Sequence, residues 1–153
     1  MKKVMVISFA TIAFLFIGVI VFFQHFFIYE VDGNSMHPTL KNRESVLSRE
    51  FALKDIEGGD IVGFTHPDFA ENEFLKRVVG LPGDTVEIKN EQVLINGKKA
   101  PYPIQAQGAP DFGPVHVKKG HLFLLGDRLS LSEDSRDFGV ISYEEIRGVL
   151  VFK

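Results

Sequence analysis

The chain has 153 residues, a formal net charge of -3, 24% charged and 45% hydrophobic residues, and neither cysteine nor tryptophan. That balance excludes wholesale disorder and a general nucleic-acid binder, which needs a basic footprint. Without thiols there are no disulfides, no thiolate catalysis and no cysteine-held zinc. The length allows one ordinary domain, or a smaller one with an appendage.

The first element in chain order is apolar. Val4 to Phe23, VMVISFATIAFLFIGVIVFF, runs for 20 residues without a charge, enough for a helix to cross about 30 Å of hydrocarbon. A cleaved secretory signal has a shorter core, of about 7–15 residues, and a small-x-small site behind it. Here QHFFIYEVDG follows, so the pattern predicts a retained anchor over residues 4–28. Lys2 and Lys3 precede it, and the positive-inside rule puts the tail, residues 1–3, in the cytoplasm. Glu30 and Asp32 flank the other end. Residues 29–153 are therefore expected to face outward, in a single-pass protein of the cell membrane with the lipid bilayer as a partner. Phe26, Phe27 and Tyr29 are expected at the outer interface, where aromatic belts form.

Beyond residue 30 the period becomes strand-like. Short β-rich runs recur: SVLSREF (45–51), DIVGF (60–64), FLKRVVG (74–80), DTVEI (84–88), QVLING (92–97), VHVKK (115–119), HLFLLG (121–126) and GVLVF (148–152). Gly58-Gly59-Asp60, Pro82-Gly83-Asp84 and Asn96-Gly97 punctuate them as turns. DTVEIKNEQVLING reads as a hairpin, residues 98–114 as a long loop or small lobe, and SYEEI (142–146) as one helical turn. The fold class is mainly β: a small antiparallel β domain, barrel or sandwich, behind one transmembrane helix.

The chemistry starts at GNSMHPTL (33–40), where Ser35 sits in a turn just past the anchor. A loop serine ordinarily bonds its own backbone; a nucleophilic one needs a base. The five histidines occupy ordinary strand, turn or membrane-flank settings, without a catalytic motif. No H-E-x-x-H or other close His/carboxylate spacing marks a metal, so neither metal nor cofactor is expected. Lys76 is the better base. In NEFLKRVVG, strand alternation puts Phe74, Lys76 and Val78 on one face. An ammonium among apolar neighbours has its pKa lowered, and a neutral amine can take a serine proton. Periodicity alone favours a lysine with its head in water. A third segment, GDRLSLSEDSRDFG (126–139), crowds acids, arginines and serines after an apolar strand. It reads either as a solvated acidic loop or as a brace for the base.

Taken together and in this order, the anchor, SMHPTL, GDIVGF, KRVVGLPGDTV, then GD and SEDSRDFG resemble the bacterial type I signal peptidases, membrane-anchored Ser/Lys proteases that remove signal peptides. The resemblance covers the whole chain. It implies a signal-peptidase-like β fold, Ser35 as nucleophile, Lys76 as general base, Ser132 as the hydroxyl orienting the lysine, and Asp134 and Arg136 as an ion pair. It implies cleavage of preproteins after Ala-x-Ala, with the Ser35 N–H donating to the oxyanion. The signal peptide is expected to add as a strand between Tyr29, Glu30, Val31, Asp32 and Gly33 on one side and Glu73, Phe74 and Leu75 on the other, with Met36 beside the nucleophile. Two positions depart from the pattern. Gly33 stands where some members have a serine, and Arg128 where an asparagine follows Gly-Asp. Two other readings fit parts of the chain: a self-cleaving Ser/Lys autoprotease, a class otherwise soluble and joined to a DNA-binding domain, and an inactive, membrane-anchored binding homologue.

Overall fold

The computed structural model describes residues 9–50, 56–67 and 73–151. Residues 1–3, the first part of the apolar run, Phe51 and Phe152 lie outside the described residues. Helix α1 (Phe9–His25) has 17 residues and is apolar up to Phe23 apart from Thr11, ending on Gln24 and His25. Phe14, Ile17 and Phe23 are exposed on it, 77%, 58% and 70%, so among the described residues most of its apolar surface is left uncovered. Among the described residues no helix is long and apolar enough to cross a membrane. The described helix would span about 25 Å at 1.5 Å per residue.

The helix stops earlier than the anchor boundary at residue 28. Phe26, Phe27 and Ile28 belong to strand β1 (Phe26–Glu30), which pairs antiparallel with β2 (Ser45–Arg49), Phe26 opposite Arg49 and Glu30 opposite Ser45. Aromatic and β-branched side chains suit a strand, and the hydrogen-bonding edge of β2 decides the matter where hydropathy cannot. His25 is tied to the end of β2: its carbonyl accepts from Glu50 N at 3.0 Å, and its ring lies 3.0 Å from the Glu50 carboxylate.

The remaining strands are β3 (Ile61–Thr65), β4 (Glu73–Gly80), β5 (Thr85–Lys89), β6 (Gln92–Ile95), β7 (Lys98–Lys99), β8 (Phe112–His116), β9 (His121–Leu125), β10 (Ile141–Ser142) and β11 (Ile146–Leu150). A short helix, α2 (Ser135–Phe138), lies between β9 and β10. The expected helical turn is a 3-10 turn at Tyr143–Glu145, capped by Ser142. Seven strands form one sheet in the order β1-β2-β11-β3-β4-β9-β10, and four form a second, β7-β6-β5-β8; every strand pair is antiparallel. The hairpin expected around residues 89–92 is β5–β6.

The central strands of the large sheet are buried on both faces, which is why they read as continuous apolar runs. On β9, Phe123 and Leu125 join the core beneath the small sheet, with Val79, Val86 and Val117. Leu122 and Leu124 point the other way, to Val62, Phe64, Val78 and Val149. A third cluster, Val31, Met36, Leu40, Ile61 and Leu150, fastens residues 31–40 onto the sheet. That last cluster positions the site.

Candidate active site

Ser35 lies in a turn held by its flanks. Met36 is 2% exposed and packs with Val31 and Leu40, while Gly33 N donates to Asn42 Oδ1 at 2.9 Å. The Ser35 carbonyl accepts from Arg128 N at 2.9 Å. Its own N–H has no acceptor among the described residues.

Lys76, on β4, reaches the same point. Its Nζ lies 3.0 Å from Ser35 Oγ and 3.1 Å from the carbonyl oxygen of Leu75. Lys76 is 3% exposed, with the Phe74 ring 5.7 Å from the nitrogen. Of the two readings that periodicity allowed, a solvated head or a buried one, the structure has the buried one. Burial lowers the Lys76 pKa to about 8; Asp134 and Glu133 pull it back up, and Arg136 pushes it further down. The amine is thus neutral in a useful fraction of molecules at mildly alkaline pH.

The segment 126–139 supports this pair in two places. Asp134 caps α2, bonds Gly126 N at 3.1 Å, and pairs with Arg136 through Nε at 2.8 Å and Nη2 at 3.0 Å. Arg136 Nη2 also donates to the carbonyls of Leu129 and Ser132, so the ion pair holds the 3-10 turn Leu129–Leu131 and Ser132 in place. Ser132 lines the same cleft as Ser35 and Lys76. Its Oγ is buried and has no hydrogen-bond partner, and it makes no bond to Lys76 Nζ. Gly126 explains how the segments approach so closely. A Cβ there would strike the Ser132 hydroxyl and come within 2.7 Å of the Ser35 carbonyl oxygen.

The second support was not among the sequence-derived site residues. Asp127, fully buried, accepts from Arg77 Nε at 2.7 Å and Nη2 at 2.6 Å. Arg77 Nη1 donates to Gly59 O at 2.7 Å, and Thr39, within the serine turn, donates its hydroxyl to Asp127. One bidentate pair therefore clamps β4, the Gly59 turn and the Ser35 turn together. A signal was available: Arg77 precedes Val78-Val79 in an interior strand, where a buried charge must find a partner, and Asp127 follows the apolar run of β9.

Both departures from the family pattern have structural accounts. Gly33 has φ +91°, a conformation in which serine would be strained, and it does not line the groove. Position 128 serves through its main-chain N–H on Ser35 O, which any non-proline residue supplies.

A groove of about 290 Å³ runs to the dyad between residues 28–32 on one side and 73–76 on the other, with Ser35 and Met36 at its end. Tyr29, Glu30, Val31, Asp32, Met36, Glu73, Phe74 and Leu75 all line it. Since three strands, β2, β11 and β3, separate β1 from β4 in the sheet order, the sheet must curl to bring them to one groove. Tyr29 sits in it half-buried, its hydroxyl pKa pushed up to about 12 by burial and then by Glu73. No histidine lines this groove or the cleft that Ser35 and Lys76 share with Ser132.

Comparison with known proteins agrees with this architecture. The profile of the family described as signal peptidase, peptidase S26, matches residues 1–153. Signal peptidase I S of Bacillus subtilis (strain 168) is 40% identical over 139 residues, covering 81% of this chain and 74% of the relative. Signal peptidase IB of Staphylococcus aureus is 34% identical over 146 residues, covering 82% and 75%. The crystal structure of a signal peptidase I from Enterococcus faecalis V583 superposes with a TM-score of 0.55 at 30% identity, over 65% of this chain and 100% of that one. The mainly antiparallel β fold, the ordered sequence boxes and these relatives lead to one assignment: the chain belongs to the signal peptidase family, peptidase S26.

Proposed function

We propose that the chain is a membrane-anchored serine endopeptidase that removes N-terminal signal peptides from preproteins after Ala-x-Ala sites, with Ser35 as nucleophile and Lys76 as base. The observation that carries this reading is the 3.0 Å contact between Ser35 Oγ and a buried Lys76 amine whose pKa is lowered to about 8.

The signal peptide lies extended in the groove beside residues 29–32 and 73–75, presenting its scissile carbonyl to Ser35. As Ser35 Oγ attacks the carbonyl carbon, neutral Lys76 takes the hydroxyl proton. The Ser35 N–H, which has no other acceptor, donates to the oxyanion; one such donor is typically worth about 3–4 kcal/mol. The Lys76 ammonium then protonates the leaving amine, the C–N bond breaks, and an ester on Ser35 remains. Water attacks this ester, giving its proton to Lys76, and the amine returns a proton to Ser35 Oγ as the acid departs. The buried Ser132 hydroxyl, lacking any partner, turns to Lys76 Nζ and orients its lone pair; Asp134 and Arg136 keep Ser132 in place. The exposed apolar face of α1 and the charge-free run before it support an anchor with the N-terminus cytoplasmic and the catalytic domain outside.

The test uses membranes from cells producing the full chain. Cleavage of an Ala-x-Ala preprotein is expected to sediment with the membranes and to be released by detergent. If the solubilised chain leaves the preprotein intact at every pH between 6 and 10, the peptidase reading fails and a binding homologue becomes the better account.

A further inference from the structure

The groove beside residues 28–32 ends at Ser35, yet a substrate must continue past it. A second cleft, about 410 Å³, shares Asp32, Ser35, Phe74 and Lys76 with the first. Its far wall is Ser130, Leu131, Ser132 and Glu133. If the residues before the scissile bond occupy the first groove, those after it leave through the second, because both open on the same serine. The wall is asymmetric in charge. Glu133 and Asp32 are exposed, and Glu133 makes no hydrogen bond or ion pair among the described residues. Of the cations nearby, Arg136 is paired with Asp134, and Arg43 is paired with Glu30 while its charge also acts on Asp32, so Glu133 is the less compensated of the two carboxylates. Arg128 does not line the cleft. Lys76 itself is buried at the dyad.

Resting on the peptidase reading, we infer that the second cleft is the leaving-group site and that Glu133, helped by Asp32, selects against acidic residues in the first two positions of the mature protein. The physical reason is Coulombic. A carboxylate entering this cleft meets two exposed carboxylates of the same sign, whereas a lysine or arginine is attracted. The departing chain also bears a new α-amine, which acquires a proton near neutral pH and is drawn to the same wall. Leu131, 53% exposed, offers the aliphatic part of a long cationic side chain an apolar surface.

The test is a peptide series with one Ala-x-Ala site and Asp, Ala or Lys at the first or second position after the bond, cleaved by the detergent-solubilised full chain at low salt. The expected kcat/KM for Lys exceeds that for Asp by about tenfold, the size of two unit-charge contacts at an intermediate effective dielectric. Salt near 1 M, where screening acts within about 3 Å, removes most of the difference. Glu133→Gln narrows the ratio and Glu133→Lys reverses it, while neither alters the response to an Asp placed before the bond, in the other groove. Equal rates across the wild-type series, or a ratio indifferent to both Glu133 variants, would overturn the inference and leave the peptidase reading standing. If no peptide of the series is cut, the peptidase reading itself falls and takes this inference with it.

Discussion

Replacing Lys76 with methionine is expected to cut preprotein cleavage by about 10⁴-fold or more, and Ser35→Ala by a similar factor, with the double variant no worse than either alone. Groups that act as one unit fail together in this way. The stability of the two singles tells catalysis from folding. The Lys76 pKa is depressed on folding, to about 8 from 10.5, so the folded state disfavours the charged amine. That cost is present in full below pH 8 and fades as pH rises toward 10.5. Methionine has nearly the same length and carries no charge to bury, so Lys76→Met should melt no lower than the wild type at pH 7 while having lost its activity. Thermal melts of both variants beside their cleavage rates check this. A methionine variant that unfolds would make Lys76 a structural residue.

The second large effect is expected at Asp127. Asp127→Ala leaves Arg77 buried without its partner, 5% exposed at the side chain, and such a break typically costs about 3–5 kcal/mol. For a domain of this size that corresponds to a fall in Tm of roughly 10 °C or more. The same change removes the acceptor of the Thr39 hydroxyl, leaving Thr39 only the 3.2 Å bond from Arg77 Nη2, and so loosens the turn that carries Ser35. Its kcat should therefore fall more than its KM rises. The double variant Arg77→Met/Asp127→Leu separates the two consequences. Replacing a buried ion pair by apolar side chains commonly restores stability, yet it cannot restore the Thr39 bond. Recovery of Tm without recovery of kcat supports a positioning role; recovery of both would reduce the pair to a stability element.

Much of the site was legible because its chemistry depends on rare combinations in fixed order. A serine in a proline turn, a lysine on an apolar strand face and an acid-rich loop need no long-range pairing to be noticed, and the structure brings Ser35 and Lys76 into contact. The strands were legible through β-rich runs between Gly, Pro and Asn turns. Strand β1 was not, because Phe26 to Ile28 continue the hydropathy of the helix and only pairing with β2 distinguishes them. Helix α2 is four residues long, too short for periodicity, although the Asp134…Asp137 spacing is that of a capping box. The Arg77–Asp127 pair joins residues fifty apart in sequence. Each residue signals a need for a partner, but a single sequence does not say which. Gly33 was read by analogy with a hydroxyl position, whereas its positive φ sets the residue type.

The central claim is that a neutral lysine amine, not a histidine, takes the proton of Ser35. The pH dependence of kcat/KM for an Ala-x-Ala preprotein tests it most directly. The groups facing Lys76 Nζ are Ser35, the Leu75 carbonyl, Asp134, Glu133 and Arg136; none of them is a histidine. Activity should therefore rise with pH along a single limb with its midpoint near 8, from about a tenth of its plateau at pH 7 to about nine tenths at pH 9. A limb centred near 6.5, the ordinary histidine range, or a rate unchanged between pH 6 and 9 would contradict it.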